Sequence, residues 1–237
     1  MSGLPAPAHR GPGLRGRVSA APVASAGALF ALLAAVRIGG AFSVPVMVLA
    51  VALSAAALGL VPRTRWADAG IRGFSGWAPL LWCTAMVAVV YAQTFLATRA
   101  AFGTDEDNWT RWVPKLFEGL VPGAPWADVV AMLLAMGVLV PLVEEVCYRG
   151  VLFRAVERPW GTRAAVVLTA AGWALVHLGD YGLRPFNPQV ICGVLPSVFL
   201  MGLALGVCRA VTGSAVACAV AQGVCNLLLL GAVHLWL

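Results

Sequence analysis

The chain has 237 residues, is 61% hydrophobic and only 11% charged, and carries a formal net charge of +6 at neutral pH. A soluble domain is about 45–50% apolar and about 25% charged, so this composition excludes one and points to a multi-span membrane protein. The basic excess is spread between apolar runs and forms no single patch, which sets nucleic acid aside as a partner and reads as a topology signal.

Residues 1–19 read as a flexible tail, with Pro5, Pro7, Pro12 and several glycines around Arg10, Arg15 and Arg17. The apolar runs that follow predict spans near residues 20–36, 41–61, 77–97, 127–147, 163–178, 190–208 and 214–236. Most approach the ~20 residues that cross a hydrocarbon core. The expected fold is all-α, a polytopic membrane bundle of about seven transmembrane helices. It divides into the cytoplasmic tail (1–19), N-terminal membrane helices with an outer loop (20–126), and a C-terminal membrane core (127–237).

Only Arg37-Ile38-Gly39-Gly40 separates the first two spans, which predicts a tight turn there. With the N-terminus inside, Arg63, Arg65, Arg72, Arg149, Arg154, Arg158, Arg163 and Arg209 join the tail arginines on the inner side. Arg37, Arg99, Arg111, Lys115 and Arg184 fall outside. That bias follows the positive-inside rule and predicts a bacterial inner-membrane protein with a cytoplasmic N-terminus. The Arg-, Ala- and Gly-rich composition agrees with a high-GC bacterial source. Arg154 and Arg158 read as headgroup anchors. Gly202 and Gly206 make a small-xxx-small step for a close helix crossing. The six cysteines show no CxxC spacing, so they read as packing residues without disulfides or a metal.

Few strongly polar side chains remain inside the spans: Gln93, Glu144, Glu145, His177, Gln222 and Asn226. Gln93 alone reads as helix–helix glue. The adjacent carboxylates are the exceptional feature, since each buried charge costs roughly 2.5–3.5 kcal/mol on insertion scales. Glu145 and Arg149 are one helical turn apart and pair. Glu144 points about 100° away, toward Tyr148. The two carboxylates thus have separate environments, the usual way acid and base roles are divided, and Glu144 is the freer base. Pro141 removes a backbone hydrogen bond and predicts a kink that admits water. Trp173 shares a face with His177, and Gln222 with Asn226. On these boundaries Glu144 lies near the inner end of its span and His177 near the outer end of a short one, so either the fifth span is tilted or displaced inward or the span boundaries lie elsewhere.

Glu144-Glu145-Val146-Cys147-Tyr148-Arg149 resembles the EExxxR motif of the CPBP family, the CAAX-processing and bacteriocin-related (Abi) intramembrane proteases. Trp173-Ala174-Leu175-Val176-His177 resembles the second motif, an aromatic residue four before a histidine. Gln222-Gly223-Val224-Cys225-Asn226 stands where the family has HxxxN, with Gln222 in place of the histidine. The resemblance covers roughly residues 127–230. It implies an intramembrane endopeptidase acting on a membrane-associated protein or peptide, with Glu144, Glu145, Arg149, His177 and Asn226 catalytic, and Gln222 and Trp173 contacting the substrate or its oxyanion. Carboxamides are poor zinc ligands. The expectation is therefore a glutamate-activated water without cofactor; zinc is the alternative mechanism, and a non-catalytic immunity or scaffold protein that binds a peptide is the alternative function.

Overall fold

The structure, a computed structural model, describes residues 22–39, 44–56, 59, 61–74, 76–119 and 121–237; the predicted tail lies outside them. The helices are α1 (Pro22–Gly39), α2 (Val44–Ala56), α3 (Trp77–Phe102), α4 (Trp112–Lys115), α5 (Pro125–Leu134), α6 (Val140–Glu145), α7 (Phe153–Val176), α8 (Pro188–Thr212) and α9 (Ala215–Trp236). Wider π turns join α5 to α6 (Ala135–Leu139) and α6 to α7 (Val146–Leu152). Among the described residues the runs Trp77–Phe102, Pro125–Gly179, Pro188–Thr212 and Ala215–Trp236 are long and apolar enough to cross a membrane, and α1 is a shorter apolar helix. The protein is an all-α membrane helix bundle, as the composition predicts.

The long run Pro125–Gly179 is two rods. Gly161 breaks it with φ 81° and ψ 170°, just after Pro159. The first rod therefore does not stop at residue 147 but continues about three turns further, and the second returns alongside it. Glu144 precedes Gly161 by almost as many residues as His177 follows it, so the two sit at matching depth. The mismatch inferred from hydropathy came from ending the fourth span too early. Hydropathy fell at Arg149, Arg154, Glu157 and Arg158 while the helix went on. Likewise α1 runs through Arg37 to Gly39 instead of turning at Arg37.

Local chemistry sets the remaining ends. Asn187 caps α8 by accepting from the N–H groups of Gln189 and Val190, and Pro188 occupies the first turn. Gly213, at φ 65°, ends α8 in the left-handed conformation that glycine favours. Ser214 next caps α9 by accepting from the N–H of Ala217. This turn holds α8 and α9 antiparallel with only two linking residues.

The main core lies among α3, α7, α8 and α9, with Val87, Phe95, Trp173, Val194, Leu205 and Cys218 buried together. A second cluster packs Val23, Ala26, Phe30 and Leu33 of α1 against Val61, Ala69, Cys147 and Val151. Leu81, Trp82, Leu142, Leu168 and Leu228 face outward, as a lipid-facing surface allows. All six cysteines are free. Gly202 and Gly206 do permit a close crossing: a Cβ on either would come within 3.0 Å of Ala170 or Val166 of α7.

The loop after α2 plugs the Gly161 end of the bundle. Gly70 accepts from the N–H of Ala215 at 2.8 Å, and the Arg72 carbonyl accepts from Ser214 Oγ at 2.5 Å. Arg154 and Arg158, expected to anchor headgroups, instead donate to Asp68 of this loop. Arg154 also pairs with Glu157 at 2.9 Å.

Pro141 explains the first π turn. Its ring offers no N–H and crowds the carbonyl one turn back. Widening the helix relieves this and leaves carbonyls of Met136 and Gly137 to be satisfied elsewhere. Asn226 Nδ2 donates to Met136 O at 3.0 Å. The Gly137 carbonyl lies so close to α9 that a Cβ on Gly223 would stand 2.1 Å from its oxygen. Gly223→Ala is therefore expected to destabilise the protein by at least ~1–3 kcal/mol. Gly231→Ala on the same helix, where nothing lies within 4 Å, should be neutral or gain up to about 1 kcal/mol. Thermal unfolding of the two variants in detergent checks the contrast.

Candidate active site

Glu145 and Arg149 are both 0% exposed, and Arg149 Nη1 donates to Glu145 Oε1 at 2.5 Å. This is the pairing the helical spacing predicts. The guanidinium reaches further than spacing shows. Nη2 donates to the Gly202 carbonyl of α8 at 3.0 Å, and the cation sits 4.7 Å from the ring centre of Trp173 on α7. The Arg149 carbonyl in turn accepts from Arg209 Nε at 2.7 Å. One charged side chain thus ties three rods, and Glu145 is its buried counter-ion. Glu145 Oε2, Arg149 Nε and Trp173 Nε1 are buried without hydrogen-bond partners among the described residues.

Glu144 faces elsewhere, as expected, but its partner is not Tyr148. Gln222 Nε2 donates to Glu144 Oε2 at 2.7 Å. A carboxylate only accepts, so the amide nitrogen must face it. The Gln222 oxygen is consequently left buried and unpaired. Among the described residues only one carboxylate oxygen of Glu144, Oε2, is held by a hydrogen bond.

His177 opens the single 3-10 turn that ends α7. Its Nδ1 lies 2.8 Å from the Trp173 carbonyl. A carbonyl cannot donate, so Nδ1 carries the proton and Nε2 is the nitrogen turned away from this bond. The ring packs edge-on to Trp173 at 4.9 Å and is stacked on Tyr181 at 6.5 Å. Asn226 is oriented from both ends: Nδ2 donates to Met136 O, and Oδ1 accepts from Tyr91 Oη at 3.3 Å.

Two cavities meet at Glu144. The smaller, about 50 Å³, is lined by Glu144, Trp173, His177, Gln222, Asn226, Tyr91 and Tyr181. That is room for one or a few waters. The larger, about 230 Å³, lies between α1 and the α6 rod, lined by Phe30, Leu33, Arg37, Val140, Val143, Glu144 and Tyr148 among others. Arg37 closes one end of it, donating from Nη2 to both Asp180 oxygens at 2.6 and 2.7 Å. Asp180 follows His177 by three residues, so this ion pair fastens α1 to the turn that carries the histidine.

All seven residues singled out from the sequence thus gather here. Glu144, His177, Gln222, Asn226 and Trp173 line the small cavity, while Glu145 and Arg149 stand behind it as a buried brace. Three further participants were not read from the sequence. Tyr91 is a tyrosine well inside a span rather than at its edge, a signal that was available. Tyr181 follows His177 by four residues, the spacing of a shared helical face. Burial, with the Asp180 and Glu144 carboxylates nearby, pushes the Tyr181 phenol up, so it stays a donor at neutral pH. The Arg37–Asp180 pair joins residues far apart in the chain, and nothing local announces it.

Residues 126–228 match the family model described as type II CAAX prenyl endopeptidase, Rce1-like. The matched stretch carries every residue of the site named from motifs, and the CPBP resemblance of the sequence is accordingly shown over that stretch. At the level of the family this supports a CAAX-type intramembrane protease with a membrane-embedded protein substrate. Helices α1–α3 lie outside the matched residues. No curated protein and no solved structure matches the chain.

Removing one member of the buried pair leaves an uncompensated charge. Arg149→Leu and Glu145→Leu are each expected to cost about 3–5 kcal/mol of stability. The double variant, with no charge to bury, should lose less than either single variant. A double-mutant cycle on unfolding midpoints measures this.

Proposed function

We propose that the protein is an intramembrane endopeptidase in which Glu144 activates a water for attack on a peptide bond. The observation that carries this reading is the position of Glu144 between two cavities, one sized for water and one sized for part of a substrate. Gln222 fixes one carboxylate oxygen and leaves the other to take a proton. The larger cavity, apolar apart from Glu144, Arg37 and a few hydroxyl or thiol groups, admits an extended apolar segment of a membrane peptide.

In this mechanism the water sits in the small cavity between Glu144 and His177 Nε2, which accepts a hydrogen bond and aims it. Glu144 takes one proton as the water oxygen bonds to the scissile carbonyl carbon. The developing oxyanion is met by donors already oriented: the second hydrogens of Asn226 Nδ2 and Gln222 Nε2, and the unpaired Trp173 Nε1–H. One such donor is typically worth roughly 2.7–4 kcal/mol. The C–N bond then breaks as the proton held by Glu144 passes to the leaving nitrogen. Glu145 and Arg149 touch no substrate here; they hold Glu144 and Trp173 in place.

The donor set supports chemistry without metal. A catalytic zinc takes three protein ligands, usually from His, Cys or carboxylates. Around this cavity one imidazole and one free carboxylate are accompanied by two carboxamides, and no three His, Cys, Asp or Glu side chains converge among the described residues. The gathering of Arg72, Arg154, Arg158 and Arg209 at the Gly161 end supports placing that end in the cytoplasm, and with it the N-terminus. Because Gln222 replaces the family's histidine, a second reading also stands: a peptide-binding protein that does not cleave.

Membrane peptidomes of cells carrying the wild type and Glu144→Gln separate the two. Glu144→Gln should lower product formation by about 10²–10⁴-fold without shifting the unfolding midpoint, and chelators should leave the wild-type rate unchanged. Equal products from both variants would exclude Glu144 as the base. Products from neither, with peptide still captured by both, would favour the binding reading.

A further inference from the structure

Gln93 lies on α3 within one turn of the middle of Trp77–Phe102, at the depth where lipid offers no hydrogen bonds. Its side chain is exposed and, among the described residues, has no partner in its own chain. The sequence suggested that this carboxamide glues helices, yet here it faces outward. It does so from a groove of about 430 Å³ between α3 and α8, lined by Met86, Val90 and Ala97 beside it and by Leu200, Leu203 and Val207 opposite. Positions 86, 90, 93 and 97 on α3, and 200, 203 and 207 on α8, follow the three-and-four spacing of a helix–helix seam. Ala97 keeps the seam shallow enough for close approach. The groove flanks the face of α3 and α8 that packs the core, with Met86 and Val90 resting partly against that core, and none of its residues lines the Glu144 cavities.

We propose that this α3–α8 face is the docking surface for a second copy of the chain, related by a two-fold axis that passes close to Gln93. The carboxamide is what identifies the occupant. It carries a donor and an acceptor on one planar group, so it is complementary to itself. A two-fold contact sets each residue against its own counterpart. Two Gln93 side chains brought face to face form a reciprocal pair of hydrogen bonds and remove both exposed amides from lipid. An acyl chain seated in the groove would fill its volume but satisfy neither amide. This association is independent of the reaction assigned to Glu144.

The test is the oligomeric state of the full chain in liposomes of bacterial phospholipid, measured by energy transfer between labelled copies over a range of protein-to-lipid ratios. The wild type is expected to show concentration-dependent dimers. Gln93→Leu should raise the dimer dissociation constant about five- to tenfold, two bridging hydrogen bonds being lost. Ala97→Trp, which fills the groove, should abolish the dimer. Both residues are lipid-exposed, so the unfolding midpoint of the monomer should stay constant. In a Cys192→Ser background, which removes the exposed native thiol, Ala97→Cys should cross-link to itself. A monomeric wild type at every ratio would overturn the proposal, as would a dimer that Gln93→Leu leaves unchanged or an Ala97→Cys variant that forms no cross-linked pair.

Discussion

The bundle depends on the buried cation of Arg149. Arg149 is fully buried, and its charge is met by Glu145, its second amino group by a carbonyl of α8, and its face by an indole on α7. A lone guanidinium at this depth would be severely unfavourable. Its tolerance therefore requires that the three rods stand in one relative register, because sliding any of them by a turn would strip a partner from the charge. Gly202 belongs to the same constraint. A side chain there would crowd Ala170 and come within 3.3 Å of the guanidinium, so the glycine serves the helix crossing and the ion together. The second glutamate of the pair is thus the counter-ion of a structural brace, and the first faces the cavities instead.

A second constraint runs through Pro141. The missing N–H could have been left to water. Instead α9 supplies an amide, and Gly223 lets the freed backbone come close. The motif on α9 therefore performs two tasks from adjacent turns. Gln222 holds the Glu144 carboxylate and Asn226 holds the irregular backbone that precedes it. The π turns on both sides of Glu144 and Glu145 are coupled to this arrangement, and such turns occur often at functional sites.

Much of this was legible in the sequence because lipid makes polar residues conspicuous. Glu144, Glu145, His177, Gln222 and Asn226 stand out against an apolar background, and the four-residue step to Arg149 predicts its pairing. What hydropathy could not deliver was where the fourth rod ends. A helix continues through Arg154 and Arg158 when an acidic loop meets them, and Asp68 is some 86 positions away along the chain. The ideal 3.6-residue wheel also aimed Glu144 at Tyr148, whereas the amide that binds it arrives from another helix. Long-range partners such as Arg37 with Asp180 leave no local periodicity to read.

Gln222 gains a definite meaning from the geometry. An imidazole at that position would bring a second titratable nitrogen beside Glu144 and so a donor set closer to what zinc prefers. The carboxamide brings a neutral donor whose direction is dictated by the carboxylate it faces. It fixes one oxygen of Glu144 and presents its own unpaired oxygen nearby, within the same water-sized space that His177 borders. A carboxylate in that setting is constrained in orientation and keeps one oxygen open. Those are the requirements of a base, and they are met here by a residue that at first sight looks like the loss of a catalytic group. The wall facing it across the larger cavity is α1, which lies outside the family-matched stretch. The residues gathered around Glu144 thus come mostly from the family-matched stretch, while one wall of the larger cavity is made by a helix of the N-terminal half.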